Sequence, residues 1–173
     1  MKKYFSILLL TTIILSIPWS TVKAANDTDC DLYNEQISAV QVFNVSDKTI
    51  YITDDDVYLM AQIVYAESRS EPYDGKVAVA SVILNRLKSP DFPKTIEGII
   101  KQKNAFSCLK NGEIHVVPDK ASYAAVLDAL KGKDPTNKAV FFYNPKISTS
   151  TWMKKVNKTN IKSIGNHVFF AVK

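Results

Sequence analysis

Glu67 occupies a position in this chain that indicates catalytic chemistry. It follows Met60, Ile63 and Val64 at spacings of seven, four and three residues. On a helix these spacings place it on the same stripe as side chains that favour burial. A carboxylate on such a stripe is costly unless it has a partner or faces a cleft. Because a carboxylic acid in an apolar cleft keeps its proton nearer to neutral pH, we predict that Glu67 is the general acid of a glycosidic bond cleavage.

Glu71 is a second carboxylate, four residues further along the chain. On a continued helix the two Cβ atoms would be about 5–6 Å apart, close to the ~5–5.5 Å that separates the carboxyl groups of a retaining glycosidase. Pro72 opposes that continuation because it biases Glu71 towards extended backbone. The sequence leaves two roles open: a second catalytic group, or a structural partner of Arg69 or of another group near the site.

Aromatic and amide side chains further along the chain are typical of a sugar-binding groove. Phe106 and Ser107 fit a sugar subsite, although a core aromatic and a turn serine explain them equally well. Tyr143, Asn144 and Trp152 lie at the end of a predicted strand and in the loop after it. Aromatic rings stack on sugar faces and amides bind acetamido groups, but simple packing also explains Tyr143.

The remaining candidate residues are polar groups with structural alternatives. His167 begins an apolar strand, where a structural histidine is more common than a base, and we also keep it as a substrate-binding candidate. Asn85 and Arg86 end a buried helix and are expected to tie it to the Glu67 loop. With two histidines at unrelated spacings and no CxxC motif, we expect no metal or other cofactor. The lysines between residues 146 and 162 are expected to form a solvated loop.

The first 24 residues have the pattern of a secretory signal peptide. Lys2 and Lys3 precede an apolar run that is short for the roughly 20 residues of a bilayer span, and Val22-Lys23-Ala24 forms a cleavage site. An uncleaved anchor is the alternative. Removing three lysines lowers the net charge from +5 to +2, which gives no reason to expect nucleic-acid binding. We therefore expect a secreted or envelope-associated single domain, monomeric, without a membrane span after cleavage.

Two cysteines, Cys30 and Cys108, are compatible with one disulfide outside the cytoplasm, but their separation does not require it. Nothing around Cys108 indicates an activated nucleophile.

The elements that must position these residues form a small α+β domain. Residues 25–54 are expected to be a linker or a weak hairpin, and residues 55–173 the folded domain. We predict a helix over 55–68 capped by an aspartate, and a helix from 74 or 75 to 88 that is apolar on every face. A short helix capped by Thr95 follows, then a loop over 104–118, and then a helix from the Asp119 cap to 131 with Ala124, Leu127 and Leu130 inward. Strands are predicted at 139–143 and 167–171. The two strands are expected to pair antiparallel across a polar loop at 144–164.

Five blocks of this sequence match a known family in their order. They are Ala66–Pro72, Gly75–Arg86, Ala105-Phe106-Ser107, Phe142-Tyr143-Asn144-Pro145 and Ile164–Phe169. Over residues 55–170 the chain resembles the catalytic domain of the SleB/CwlJ family of spore cortex-lytic enzymes, also called cell wall hydrolases.

The resemblance implies a lysozyme-like, resuscitation-factor-like fold and peptidoglycan, particularly spore cortex, as the substrate. It also implies lytic transglycosylase activity, in which Glu67 matches the family's catalytic glutamate. Residues 25–54 are too short for the peptidoglycan-binding repeat that some members carry. A hydrolytic muramidase or glucosaminidase, or a catalytically weak wall-binding spore protein, remains open.

Overall fold

The computed structural model describes the backbone of residues 41–45 and the chain from residue 48 to 173, with side chains from residue 49. The elements are β1 (Gln41–Val45), β2 (Lys48–Ile52), α1 (Asp54–Ser68), α2 (Tyr73–Lys88), α3 (Ile96–Ile100), α4 (Lys120–Leu130), β3 (Phe141–Tyr143), α5 (Thr151–Lys155), β4 (Lys158–Ile164) and β5 (His167–Val172). The predicted signal peptide and the segment 25–36 lie outside the described residues. The α+β class is confirmed.

The first two strands form an antiparallel hairpin, with Gln41 opposite Ile52 and Val45 opposite Lys48. This is one of the two structures that the sequence left open for this segment. Ile52 at its end is fully buried in the core, so the hairpin is joined directly to the folded domain.

Helix α1 begins one residue earlier than predicted, and its cap is Thr53 rather than an aspartate. The Thr53 hydroxyl accepts a hydrogen bond from the Asp56 backbone N–H, while the Asp56 carboxylate accepts one from the Thr53 N–H. This reciprocal capping box satisfies two donors at the helix start. Met60 and Ile63 are buried, as the apolar stripe predicts.

Helix α2 is the central element of the domain and packs against α1, α3 and α4. Its valine, alanine, isoleucine and leucine residues are buried on every side, which confirms the all-round apolar pattern. The helix starts at Tyr73, just after Pro72, whose fixed φ of −60° suits the N-cap position.

Helices α3 and α4 have the predicted caps. The Thr95 hydroxyl accepts from the Gly98 N–H at 3.0 Å, and the Asp119 carboxylate accepts from the Ser122 N–H at 2.7 Å. The prediction that Ala124 faces inward was wrong, since it is exposed. The buried face of α4 instead carries Ala125, Val126, Ala129 and Leu130. The small side chains of Ala125 and Ala129 let α4 lie close to α1 and α2. Because Ala124 has the same side chain, residue type alone could not show which alanines face inward.

The C-terminal sheet has three strands in the order β3-β5-β4. The predicted antiparallel pairing of β3 with β5 is confirmed, with Phe141 opposite Phe170 and Tyr143 opposite Val168. The prediction of a loop over 144–164 was wrong, because it contains α5 and the edge strand β4. Strand β4 is polar and mostly exposed, and its register shifts near Asn160, which has a positive φ of 50°. Such a bulged edge strand lacks the apolar alternation on which strand prediction depends.

No helix in the described part of the chain is long and apolar enough to cross a bilayer.

Candidate active site

Glu67 lies in the last turn of α1 and is held by the loop that follows α3. Its Oε1 atom accepts hydrogen bonds from the Ser107 hydroxyl at 3.3 Å and from the Cys108 backbone N–H at 3.2 Å. The loop is itself anchored by Phe106, which is buried in the core. The carboxylate is therefore fixed by two donors from a segment forty residues away in sequence.

Glu67 lines a cleft of about 680 Å³. One wall is the loop after α3, and the other is β3 with the segment that leads into α5. The lining residues are Glu67, Lys101, Gln102, Lys103, Asn104, Ala105, Phe106, Ser107, Leu109, Gly112, Phe142, Tyr143, Asn144, Ile147, Ser148, Thr149, Ser150, Met153 and His167. Among these residues, all within the described part of the chain, Glu67 is the only carboxylate.

Most of the predicted site residues meet in this cleft. Phe106, Ser107, Tyr143, Asn144 and His167 line it together with the glutamate. The aromatic and amide candidates are thus placed where a sugar could contact them, although Phe106 is largely core.

Trp152 is the predicted sugar-binding residue that the structure places elsewhere. It does not line the cleft, and its ring packs edge-on against Phe141 with centroids 5.1 Å apart. Trp152 is 49% exposed, whereas its neighbour Met153 lines the cleft.

Glu71 also lies outside the cleft, buried behind it. Its Oε2 accepts from the Asn166 backbone N–H at 2.8 Å, and its Oε1 accepts from the Asn166 side-chain amide at 3.1 Å. Of the structural partners left open for Glu71, the structure shows a hydrogen-bonding group near the site, while the guanidinium of Arg69 lies 5.4 Å from the centroid of the Tyr65 ring. Glu71 turns instead towards the β4–β5 turn, a partner that its local sequence does not reveal.

Two glycines make room for the Glu71 side chain. A Cβ atom at Gly165 would lie 1.9 Å from the Glu71 Oε2, and one at Gly75 would lie 2.9 Å from the Glu71 Cβ. Gly165 also has a positive φ of 59°, a conformation that glycine adopts readily. The β4–β5 turn is therefore shaped around this carboxylate.

Asn85 and Arg86 do not tie α2 to the Glu67 loop in the way expected. The Asn85 amide donates to Asp134 and to the Ala139 carbonyl, and the Arg86 Nε donates to the Val140 carbonyl at 2.8 Å. Both residues therefore secure the segment that leads into β3.

The Arg86 guanidinium is nonetheless connected to the cleft through aromatic packing. It lies 5.2 Å from the Phe106 ring centroid and contacts Phe92 and Phe141 in the same way. Burial lowers the pKa of Arg86 to about 10. A buried cation thus supports the back of one cleft wall.

Cys108 lies beside Glu67 and forms no disulfide with another described residue. Burial raises its pKa to about 12, and the negative charge of Glu67 and a hydrogen bond to it add to the shift. Such a thiol stays protonated and is a poor nucleophile, in agreement with the prediction. Cys30 lies outside the described residues, so the Cys30–Cys108 bridge stays a prediction.

Within the described residues no cluster of histidine, cysteine, aspartate or glutamate side chains could hold a metal ion. The lysines of the 146–162 segment are mostly exposed. Lys158 is the exception, since its ammonium group lies over the rings of Tyr143 and Phe170 at 5.7 and 5.2 Å from their centroids.

The fold and the site together define a small α+β domain with one carboxylate in an open cleft. The family described as Cell Wall Hydrolase matches residues 70–170 of this chain. The chain belongs to this family. The matched range begins three residues after Glu67, so the match does not itself include the candidate acid.

Solved structures are similar over the same region. The catalytic domain of the Bacillus cereus SleB protein is 45% identical, with a TM-score of 0.62 over 69% of this chain and 91% of that one. The catalytic domain of the germination-specific lytic transglycosylase SleB from Bacillus anthracis is 44% identical, with a TM-score of 0.64 over 69% of this chain and 96% of that one.

Full-length relatives are spore cortex-lytic enzymes. The one from Halalkalibacterium halodurans is 49% identical over 117 residues, which are 68% of this chain and 35% of that protein. The one from Bacillus subtilis is 44% identical over 117 residues, 68% of this chain and 38% of that protein. The chain therefore spans well under half the length of the curated relatives it matches.

Proposed function

We propose that this protein cleaves the β-1,4 bond between N-acetylmuramic acid and N-acetylglucosamine in peptidoglycan, as a lytic transglycosylase with Glu67 as general acid and base. The observation that carries the proposal is the single carboxylate of the cleft. Most glycosidases need two carboxyl groups on opposite sides of the bond, whereas a transglycosylase needs only one. Glu71 does not supply the second, because Asn166 engages both of its oxygens behind the cleft.

The reaction requires Glu67 to give and then recover one proton. The hydrogen bonds from the Ser107 hydroxyl and the Cys108 backbone N–H both end on the Oε1 atom of Glu67, and we assign the transferable proton to Oε2. That proton goes to the glycosidic oxygen as the bond from C1 of the muramic acid breaks. The 6-hydroxyl of the same sugar then attacks C1, its proton passes to Glu67, and a 1,6-anhydro product leaves.

Other residues of the cleft have binding roles in this proposal. Tyr143 offers an aromatic face to a sugar ring, and Asn144 offers an amide to an acetamido group. Ser107 positions the acid, and Phe106 supports the loop that carries it. No cofactor takes part in the proposed reaction.

The substrate class is supported by family membership and by the names of the relatives, which act on spore cortex. We propose peptidoglycan, including spore cortex, as the substrate and the cell envelope as the place of action. The signal peptide predicted at residues 1–24 accords with that location.

The test is digestion of purified peptidoglycan and of spore cortex by the wild-type protein and by Glu67→Gln, with products identified by mass spectrometry. We expect anhydro-muropeptides from the wild type and none from the variant, whose amide cannot donate the proton. Thermal unfolding of both proteins controls for folding.

The other outcomes each point to a different function. Muropeptides with reducing ends would identify a hydrolase that uses water, and cleavage that survives the substitution would remove Glu67 from the mechanism. Glycan binding without cleavage by the wild type would favour a wall-binding protein.

A further inference from the structure

His167 is another polar group in the cleft, and its surroundings restrict its orientation. It is the first residue of β5 and lines the cleft with Glu67. Its side chain is only 10% exposed. The ring packs edge-on against Phe142 with centroids 5.3 Å apart and against Phe169 at 6.1 Å. These two contacts restrict rotation of the imidazole about its side-chain bonds.

The Nδ1 atom of His167 faces Glu71. It is buried and forms no hydrogen bond with any of the described residues, and the Glu71 Oε1 lies 3.7 Å away. A carboxylate oxygen can only accept, so a lone pair on Nδ1 would face another lone pair. A proton on Nδ1 removes that repulsion, and the other ring nitrogen then carries the free lone pair. Hydrogen bonds of this kind are often long without substrate and tighten when it binds.

The Glu71 carboxylate is itself rigidly held. Asn166 donates to both of its oxygens, and Gly165 and Gly75 leave the space that it fills. A buried carboxylate this constrained can orient a neighbouring side chain, because it cannot move towards a different partner without losing two hydrogen bonds.

We propose that Glu71 is a positioning residue that keeps the proton of His167 on Nδ1, so that Nε2 accepts a hydrogen bond from a hydroxyl or acetamido N–H of the glycan. The inference rests on the proposed function, since it names a contact within the same cleft. It gives the second carboxylate of the predicted pair a role that is neither acid nor nucleophile.

The tautomer can be measured on the free protein. Long-range ¹H–¹⁵N correlation spectra at pH 8, where an imidazole is ordinarily neutral, distinguish a proton on Nδ1 from one on Nε2. The chain has two histidines, so His115→Gln assigns both signals. His115 is a matched control, because it is exposed and its Nε2 rather than its Nδ1 faces a glutamate, Glu113, at 3.1 Å.

We expect the Nδ1–H tautomer for His167 in the wild type and a loss of that preference in Glu71→Gln. Asn166→Ala, which keeps the carboxylate and the backbone donor, should lower stability but keep the tautomer. An Nε2–H tautomer or an imidazolium in the wild type would overturn the proposal even if Glu71→Gln fails to fold.

The substrate contact is measured separately, in a Glu67→Gln background that binds without cleaving. Titration with a soluble peptidoglycan tetrasaccharide should give an affinity about 2- to 13-fold weaker for His167→Leu, the range expected for one hydrogen bond. His167→Gln keeps an acceptor and should lose less, and His115→Gln should bind like the parent.

The outcomes separate this inference from the proposed function. If the wild type cleaves peptidoglycan but all His167 variants bind alike, the inference is overturned and the proposed function stands. If the wild type neither cleaves nor binds the glycan, both are overturned.

Discussion

A methyl group at Gly165 would disrupt the carboxylate arrangement behind the cleft. The Cβ atom of an alanine there would lie 1.9 Å from the Glu71 Oε2 and 2.9 Å from the Pro72 Cδ. Pro72 is a rigid ring at the start of α2 and cannot move away cheaply. We therefore expect Gly165→Ala to expel the Glu71 carboxylate from its place against Asn166.

The expected loss of stability has two parts. An L-residue held at a positive φ costs about 1–2 kcal/mol. Displacing Glu71 breaks two hydrogen bonds to a charged group, each contributing about 1.5–3 kcal/mol. The free energy of unfolding should fall by about 4–8 kcal/mol, a large fraction of the roughly 5–15 kcal/mol of a typical domain.

Urea unfolding followed by circular dichroism measures this loss, and Gly132→Ala is the matched control. Gly132 has a φ of +99° with nothing within 4 Å of the added Cβ, so its substitution should cost only the conformational ~1–2 kcal/mol. In a Glu71→Ala background, Gly165→Ala should cost less than in the wild type, because the clash with the carboxylate is gone and only the contact with the Pro72 Cδ remains.

Equal losses for Gly165→Ala and Gly132→Ala would refute this reasoning. A loss in the Glu71→Ala background as large as in the wild type would also refute it, since the cost would then not arise from the carboxylate.

Three further predictions concern groups that support the site. Lys76 donates from α2 to the Ser68 carbonyl at 3.0 Å, at the end of α1, whose last turn contains no basic residue. Lys76→Met should cost about 1.5–3 kcal/mol in urea unfolding and reduce kcat. Arg86→Met should cost a similar ~1.5–3 kcal/mol because the Val140 carbonyl loses a charged donor, and Arg86→Lys should not restore the wild-type stability. Burial and then the charge of Glu67 raise the pKa of Cys108 from 9.0 to about 12, so between these pH values the thiol is protonated in the folded chain but ionises in the unfolded chain. Relative to Cys108→Ala, the stability of the wild type should therefore decline as pH rises from 9 towards 12. Urea unfolding at successive pH values measures this decline.

Helices α1 to α4 could be predicted from the sequence because their signals are local, whereas α5 was missed. Apolar spacing located α1 and α2, and Thr95 and Asp119 marked the starts of α3 and α4 within a few neighbouring residues. Strand β4 could not be found in this way, since its pairing with β5 depends on backbone hydrogen bonds and its side chains are mostly polar and exposed. A strand without a buried face leaves little trace in composition.

The site shows the same division between local and distant information. The position of Glu67 on an apolar stripe was sufficient to select it, because one helix turn contains that pattern. The role of Glu71 depends on Asn166, which is 95 positions away, and no spacing within α1 or α2 indicates that contact. Four-residue spacing suggested a pair of catalytic carboxylates, but α1 ends at Ser68, between the two glutamates, and the second carboxylate lies behind the cleft. A carboxylate pair read from sequence spacing therefore identifies two chemically important positions without showing that both face the substrate.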